Sequence, residues 1–180
     1  MDGPNMDKTI YLMFGYIGSG KSTFARQLAI EIGAVRLNGD ELRQKMFNSV
    51  EEIRNTRNNP LVFAALDYAT EQVLKANLSV VYDVSHNKVE DRTSKEELAS
   101  QCRARTILVW VQSPLDLARQ RTLDRSRRGE AISVPIDIHD SMAQGMQLPL
   151  PNEKCIIIDG QQNFQNQFAD FRRQLALLKL

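Results

Sequence analysis

The sequence predicts a doubly wound α/β fold, in which helices cover both faces of a five-stranded parallel sheet. Five short apolar runs alternate along the chain with segments whose apolar residues recur at helical spacing. Strands that alternate with helices are joined by right-handed crossovers, and those crossovers make the sheet parallel. In such sheets ligands bind at the carboxyl ends of the strands. We therefore expect the functional residues to follow the strands.

The length and composition fit one globular domain. The chain has 180 residues, of which 42% are hydrophobic and 25% are charged, so we expect a single domain over residues 1–180. The net charge of +1 indicates neither a nucleic-acid nor a membrane partner. Cys102 and Cys155 lack the spacing of a metal site and are expected to be buried, unreactive thiols. Residues 1–7 contain no signal peptide and are expected to be disordered, which favours a cytoplasmic protein.

The first half of the chain begins with a strand and a helix. Thr9–Phe14 is predicted as a buried strand because five apolar residues follow one another. A helix is predicted from Lys21, since apolar residues recur at every fourth position and Gly33 provides a stop. The polar, asparagine-rich segment further on is predicted as a loop. The elements in this part are a strand at Ala34–Asn38, a short helix at Glu41–Phe47, the loop at Asn48–Pro60 and a helix at Leu61–Ala76.

The second half repeats the alternation three times. Pro114 is expected to begin a helix, because proline is favoured in the first turn, and that helix continues into the arginine-rich segment Arg119–Arg128. The other elements are strands at Leu78–Tyr82, Thr106–Val111 and Lys154–Ile158, and helices at Lys88–Gln101, Pro135–Gly145 and Phe164–Leu178.

A phosphate-binding motif lies between the first predicted strand and the first predicted helix. Residues 15–22 match G-x-x-x-x-G-K-[ST] in the strand and helix context that the motif requires. The glycines let backbone N–H groups face the phosphates, and the helix N-terminus adds its partial positive charge. This predicts a P-loop NTPase that binds a nucleoside triphosphate together with Mg²⁺, and the motif alone fits kinases, ATPase motors and GTPase switches. The residues expected to bind the nucleotide are Gly15, Ile17, Gly18, Ser19, Gly20, Lys21, Ser22 and Thr23.

Two of these residues have a specific expected role. Lys21 is expected to reach the β- and γ-phosphates, and the Ser22 hydroxyl is expected to bind Mg²⁺. Thr23 is interpreted as a residue of the helix start rather than as a second metal ligand.

A GTPase is disfavoured by the rest of the sequence. Asn87–Glu90 resembles the guanine-reading motif N-K-x-D, but it ends in Glu and follows the third strand, where no base-reading loop is expected. No D-x-x-G switch motif occurs in the sequence.

Asp40 and Arg43 follow the second predicted strand. An acid at this place could accept the proton of an attacking hydroxyl, while the arginine held the acceptor or a phosphate. Asp is also a favoured helix N-cap, in which case Arg43 would be a surface residue of the same short helix. The spacing leaves both interpretations open.

Asp83 ends the third predicted strand, next to the P-loop in the expected sheet. There it could hold the magnesium shell or orient the acceptor, and the alternative is a solvated acid. Asn87 follows at the same edge. His86 is interpreted as a structural residue or an acceptor contact rather than a general base, and His139 carries no functional signal.

Three arginines share one face of the helix that follows Pro114. Arg121, Arg125 and Arg128 are separated by four and three residues, and guanidinium groups suit anionic oxygens. This predicts a small arginine-rich lid over the triphosphate, at about residues 119–134. The same spacing fits a solvated helix in which Asp124 pairs with Arg128, or a nucleic-acid patch.

Taken in order, these segments resemble the kinase domain of phage-type polynucleotide 5′-hydroxyl kinases, within the wider zeta-toxin-like group of P-loop kinases. The likeness runs from about Lys8 to Met146. It is carried by Gly15–Thr23, Gly39–Gln44, Val81–Asn87, Arg127–Gly129 and Val134–Asp137.

The resemblance implies a nucleoside-kinase-like P-loop fold with ATP and Mg²⁺ as cofactors, and it implies roles for the candidate residues. Asp40 corresponds to the general base toward the acceptor hydroxyl, and Arg43 to the arginine that contacts the scissile phosphate. Asp83 corresponds to an acid that contacts the acceptor, and Asn87 to an acceptor contact, although it lies one residue further along than in the family. Arg125 and Arg128 are the expected catalytic lid arginines. The bifunctional relatives carry a phosphatase motif D-x-D-x-[TV], which is absent from this sequence, so no phosphatase activity is expected.

The sequence thus predicts an ATP-dependent kinase that transfers the γ-phosphoryl group to a hydroxyl. A polynucleotide 5′-hydroxyl is the leading acceptor, while a nucleotide sugar or another small metabolite remains open. The alternative is a regulatory protein that binds or hydrolyses ATP and transfers nothing. No membrane partner is expected, and the oligomeric state is not predicted.

Overall fold

A computed structural model describes residues 8–129 and 136–178. The predicted disorder of residues 1–7 and the part of the expected lid at 130–134 lie outside these ranges.

The sheet has five parallel strands in the order β2-β3-β1-β4-β5. This confirms the predicted sheet, with strand ends displaced by one or two residues. The strands are β1 (Thr9–Phe14), β2 (Val35–Asn38), β3 (Val80–Asp83), β4 (Arg105–Gln112) and β5 (Cys155–Asp159).

Helices connect the strands and cover both faces of the sheet. They are α1 (Lys21–Glu31), α2 (Gly39–Met46), α3 (Val50–Arg54), α4 (Asn59–Lys75), α5 (Val89–Gln101), α6 (Leu115–Arg127), α7 (Ile136–Gln144) and α8 (Phe164–Leu177), with a 3-10 helix at Thr56–Asn58. Among the described residues, none of the helices has both the length and the apolar character needed to cross a bilayer.

The central strand β1 separates two apolar cores, because successive side chains of a strand point to opposite faces. Tyr11 and Met13 pack on one face with Phe24 of α1 and Phe171 of α8. Ile10, Leu12 and Phe14 pack on the other face with residues of α4 and α5. Burial on both faces explains why the six residues of β1 are continuously apolar apart from Thr9. The same burial fixes the end of β1, where the P-loop begins.

The segment Asn48–Pro60, predicted as a loop, is largely helical, so that prediction was wrong. Ser49 accepts a hydrogen bond from the backbone N–H of Glu52 and caps α3. Asn55 caps the 3-10 helix in the same way. Pro60 lies in the first turn of α4, where its missing N–H costs nothing. The serine and asparagine residues that suggested a loop are helix caps, because both roles use the same side-chain hydrogen bonds.

Two smaller expectations also differ from the structure. Pro114 lies one residue before α6, as its N-cap, rather than inside the first turn. Cys102 and Cys155 are free thiols that are half-buried rather than buried, and burial raises the pKa of Cys155 to about 11.

Candidate active site

A cleft of about 840 Å³ lies at the carboxyl ends of the strands. It is lined by the P-loop after β1, the start of α2 after β2, the end of β3, the loop after β5, and the facing sides of α4 and α6. This is the edge at which parallel sheets place their ligands. Lys21, Asp40, Arg43, Asp83, Arg125 and Arg128 all line this cleft, as do Ser22 and Thr23.

The P-loop glycines adopt backbone conformations that other residues rarely take. Gly15, Gly18 and Gly20 have φ of 131°, 85° and 104°. At Gly18 a Cβ atom would lie 2.0 Å from the carbonyl oxygen of Ala118 in α6. The loop can therefore pack against α6 only with glycine at this position.

The carbonyl groups of the P-loop accept hydrogen bonds from the side chain of Lys21 and from two side chains outside the loop. The pairs are Gly15 with Lys21 Nζ at 2.9 Å, Tyr16 with Lys21 Nζ at 2.6 Å, Ile17 with His139 Nε2 at 3.1 Å, and Ser19 with Ser113 Oγ at 3.0 Å. The first turn of α1 has backbone N–H groups with no partner inside the helix. A loop whose carbonyls are held in this way, followed by such a turn, has the backbone arrangement of an anion-binding nest.

Asn87 is a second support of the P-loop. Its side-chain Oδ1 accepts from the backbone N–H of Gly15 at 3.3 Å, and its Nδ2 donates to the Gly15 carbonyl at 3.4 Å. The side chain is buried and does not line the cleft. The expected contact between Asn87 and an acceptor is therefore replaced by a contact with the P-loop backbone.

Lys21 is buried beneath the P-loop, with 8% of its surface exposed. Burial lowers the pKa of its ammonium group to about 8. The negative charges of Asp83 and Asp40 oppose this shift, and the positive charge of Arg125 adds to it. Side chains from β3, α2 and α6 thus act electrostatically on one ammonium group, which shows that these elements converge at the P-loop.

Asp83 is buried and held by three side chains. Its Oδ1 accepts a hydrogen bond from Ser22 Oγ at 3.0 Å. Its Oδ2 contacts Arg36 through Nε at 2.8 Å and Nη2 at 2.7 Å, and accepts from Asn38 Nδ2 at 2.7 Å. With 4% of its surface exposed, Asp83 is not the solvated acid of the alternative interpretation.

The pair of Ser22 and Asp83 fits Mg²⁺ chemically. A hydroxyl and a carboxylate are hard oxygen donors, and Mg²⁺ in nucleotide sites is bound through one or two such groups together with phosphates. Within the described ranges no cluster of three or more His, Cys, Asp or Glu side chains could hold a metal by itself. Ser22 and Asp83 would supply two of the oxygen ligands of Mg²⁺, and a nucleotide and water would supply the others.

Sequence reasoning missed Arg36 and Asn38. Asn38 and Asp83 are opposite each other in the β2–β3 register, and Asn38 also caps α2 by accepting from the Glu41 N–H at 2.8 Å. Arg36 bridges Asp83 to Glu41, at 2.9 Å from the latter. An arginine inside a short strand matches no motif, and only the strand pairing reveals that it faces an acid.

Asp40 lies in the first turn of α2, exposed toward the cleft. Because Asn38 is the N-cap of this helix, the N-cap interpretation of Asp40 was wrong. Arg43 follows one turn later, lines the cleft and donates a hydrogen bond to Asn59 Oδ1 at the start of α4. That contact fixes the direction of its guanidinium group.

The arginine face of α6 divides into two parts. Arg121 Nη1 donates to the Gly160 carbonyl at 3.0 Å and so joins α6 to the loop after β5. Arg125, in the last turn of α6, and Arg128, its C-cap, also line the cleft. Asp124 forms an ion pair with Arg127 at 3.4 Å. Arg121 thus has a tethering contact, while the role of Arg125 and Arg128 in a lid stays a prediction.

The two histidines have structural positions. His139 of α7, for which no function was predicted, is buried against the P-loop carbonyl of Ile17; since a carbonyl only accepts, Nε2 carries the proton. His86 is buried edge-on against Tyr82, and its ring nitrogens have no hydrogen-bond partner in the described part of the chain. Burial, with the nearby Lys95, lowers its pKa to about 4. His86 is therefore neutral at neutral pH, and its buried ring does not line the cleft.

Solved structures of several kinases share this fold. A sugar kinase from Janibacter sp. HTCC2649 is 18% identical, covers 96% of each chain and has a TM-score of 0.68. Kti12 from Chaetomium thermophilum, in complex with ADP-AlF3, is 17% identical over 93% of this chain and 97% of that one, with a TM-score of 0.72. A chain of the Pnkp1/Rnl/Hen1 RNA repair complex is 19% identical, with a TM-score of 0.66, over 77% of this chain and 44% of that one.

At these identities the likeness shows the fold alone, and no curated protein sequence gives a significant match. A family model described as AAA domain, AAA_33, matches residues 10–149, which is more than half of the chain. The chain belongs to the AAA_33 family of AAA domains, and its fold is that of the P-loop kinases.

Proposed function

We propose that the protein is an ATP- and Mg²⁺-dependent kinase that transfers the γ-phosphoryl group to a hydroxyl acceptor, with a polynucleotide 5′-hydroxyl as the leading acceptor. The observation that carries the proposal is the position of Asp40. Asp40 is not the N-cap of α2, and it lies exposed in the cleft. Its carboxylate is close enough to Lys21 to raise the pKa of that ammonium group. A protein that only binds ATP does not need a carboxylate there, whereas one that hydrolyses ATP would use it to orient water, so transfer to an acceptor separates these functions.

The donor phosphates would lie in the nest formed by the P-loop and the first turn of α1. Lys21 would neutralise charge on the β- and γ-phosphates, and it is protonated below a pH of about 8. Ser22 and Asp83 would hold Mg²⁺, which would screen the phosphate charge when bound. Arg125 and Arg128 would contact the phosphates from the side of α6.

The acceptor hydroxyl would be bound between Asp40 and the γ-phosphate. Asp40 would accept the hydroxyl proton while the acceptor oxygen forms a bond to the γ-phosphorus, and the bond between that phosphorus and the β,γ-bridging oxygen breaks. The electron pair of the broken bond leaves on ADP. Arg43, oriented by Asn59, would stabilise the transferred phosphoryl group. These contributions are positioning and electrostatic stabilisation rather than covalent catalysis.

Two other functions have support from the comparisons. The similarity to a sugar kinase favours a small-molecule acceptor, including the nucleotide sugar implied by the zeta-toxin-like resemblance. The similarity to Kti12 bound to ADP-AlF3 is compatible with a nucleotide-dependent regulatory protein.

The test follows labelled phosphate from the γ-position of ATP. The acceptors are 5′-hydroxyl DNA and RNA oligonucleotides, nucleosides, nucleotide sugars and simple sugars, each with and without Mg²⁺. We expect label in the oligonucleotides and a loss of at least about 100-fold in rate for Asp40→Asn. Asp91→Asn makes the same chemical change in the first turn of α5, outside the cleft, and is expected to retain the rate. An Asp40→Asn enzyme as fast as wild type would refute the role of Asp40, and label in no acceptor would refute the kinase.

A further inference from the structure

One side of the cleft, next to Asp40, is apolar. Its wall is formed by Val62, Phe63 and Leu66 of α4 and by Val84 after β3. Val62 and Leu66 are 1% and 2% exposed and form the buried base of this wall. Phe63 is half-buried, so part of its side chain remains accessible from the cleft. We call these four residues the apolar wall.

The apolar wall is directly connected to the catalytic candidates. A Cβ atom on Gly39, the residue before Asp40, would lie 3.0 Å from Val84 Cγ2 and 3.8 Å from Leu66 Cδ1. Arg43 contacts Asn59 at the start of α4, one turn before Phe63. A molecule whose hydroxyl reaches Asp40 would therefore place its neighbouring atoms against this wall.

Two of the polar side chains on this side are already engaged. The amide group of Asn38 is bonded to Asp83 and to the N–H of Glu41, and the guanidinium group of Arg43 to Asn59. A simple sugar presents a hydroxyl at almost every carbon, and burying hydroxyls without partners is unfavourable. A nucleobase instead presents flat apolar faces that stack on aromatic rings, and every base has such a face. The wall therefore fits a base better than a polyol.

We propose that the apolar wall binds the terminal nucleobase of a 5′-hydroxyl strand, with Phe63 as the residue that selects a nucleotide acceptor over a polyol. The inference rests on the proposed function, since it assumes transfer to a hydroxyl bound at Asp40. Because the wall would contact only the flat face of the base, we expect it to accept all four bases. Phe63 is a specificity-determining residue and takes no part in proton or phosphoryl transfer.

The test compares two 5′-hydroxyl oligonucleotides that differ only in the base of the terminal nucleotide, which is either present or replaced by an abasic residue. For wild type we expect the abasic end to raise KM for the oligonucleotide by about 10-fold or more, with kcat little changed. For Phe63→Ala we expect the same KM for the intact and the abasic oligonucleotide, while KM for ATP stays constant. Binding of both oligonucleotides, measured by fluorescence anisotropy with ADP present, should show the same pattern without any turnover.

Matched variants distinguish the loss of the aromatic ring of Phe63 from general damage to α4. Tyr68→Ala removes an aromatic ring from the exposed side of the same helix, outside the cleft, and should keep the discrimination. Phe63→Leu keeps an apolar side chain for packing but removes the ring, and should lose the discrimination even if Phe63→Ala does not fold. Phe63→Trp should retain it.

The outcomes distinguish this inference from the proposed function. Equal KM for intact and abasic ends in wild type, with transfer to both, would overturn the base-binding wall and leave the kinase intact. Discrimination that survives in Phe63→Leu would overturn the role of Phe63. If sugars are phosphorylated and oligonucleotides are not, the polynucleotide acceptor is wrong and the base-binding wall fails with it.

Discussion

Arg36 places Nε and Nη2 at 2.8 and 2.7 Å from one oxygen of Asp83. The other oxygen of that carboxylate accepts from Ser22. Arg36 therefore fixes the rotation of Asp83 and leaves one oxygen directed toward the P-loop. The buried carboxylate depends on this partner, because an unpaired buried charge is strongly unfavourable.

Replacing Arg36 is expected to destabilise the protein. Arg36→Met leaves the Asp83 carboxylate with only neutral donors, and we expect a loss of about 3 kcal/mol in the free energy of unfolding, measured by urea denaturation. Arg26→Met is the control, since Arg26 is an exposed arginine 3.9 Å from Glu41 and should lose less than about 1 kcal/mol. Adding Asp83→Asn to Arg36→Met should restore part of the loss. Equal stability of Arg36→Met and Arg26→Met would show that buried Asp83 does not depend on Arg36.

Nucleotide affinity is expected to fall as the pH rises above about 8. The pKa of Lys21 is lowered to about 8 by burial, so its ammonium group begins to lose its proton there, and the attraction to phosphate is lost with it. Bound phosphates favour the charged form of Lys21. In the complex with ATP, Lys21 therefore loses its proton at a higher pH than in the free protein. The measurement is the Kd for ATP from neutral pH to about pH 9. Lys21→Met should bind weakly at every pH, and an identical pH profile in that variant would exclude Lys21 as the titrating group.

Stability is expected to fall as the pH drops from 6.5 toward 4 because of His86. In the unfolded chain the imidazole binds a proton near its ordinary pKa of 6.5, whereas burial lowers the pKa in the folded protein to about 4. Between these values the unfolded state binds more protons, so acid favours unfolding, by about 3 kcal/mol over the whole window. Urea denaturation at several pH values should show a steeper slope for wild type than for His86→Leu. Parallel slopes would mean that His86 does not titrate as its burial requires.

Gly18→Ala is expected to damage both folding and nucleotide binding. The new Cβ would clash with the carbonyl oxygen of Ala118, and φ of 85° already disfavours alanine. Gly33→Ala is the control, because Gly33 also has a positive φ, of 65°, but its Cβ would meet no atom within 4 Å. We expect Gly33→Ala to cost about 1 kcal/mol, and Gly18→Ala to cost at least about 2 kcal/mol more and to weaken ATP binding. Similar losses in the two variants would show that the loop can move away from α6.

The five strands and the P-loop could be predicted because local patterns determine them, whereas the strand order was not predicted and follows from pairing between distant segments. Continuous apolar residues in Thr9–Phe14 indicate a strand buried on both faces, and the glycine spacing at 15–20 follows from backbone conformations that only glycine adopts readily. Arg36 and His139 could not be predicted in this way. Their partners are Asp83 and the Ile17 carbonyl, which are distant in sequence and meet them only through strand register or the packing of α7.

The side chains that hold the P-loop come from separate parts of the chain. Asn87 follows β3, Ser113 follows β4 and His139 belongs to α7. The loop is therefore ordered when the domain folds, and much of its conformational entropy is lost at that stage rather than when a nucleotide binds. Removing one of these tethers would weaken nucleotide binding without deleting any contact to the nucleotide, because the free loop would gain disorder that binding must then remove.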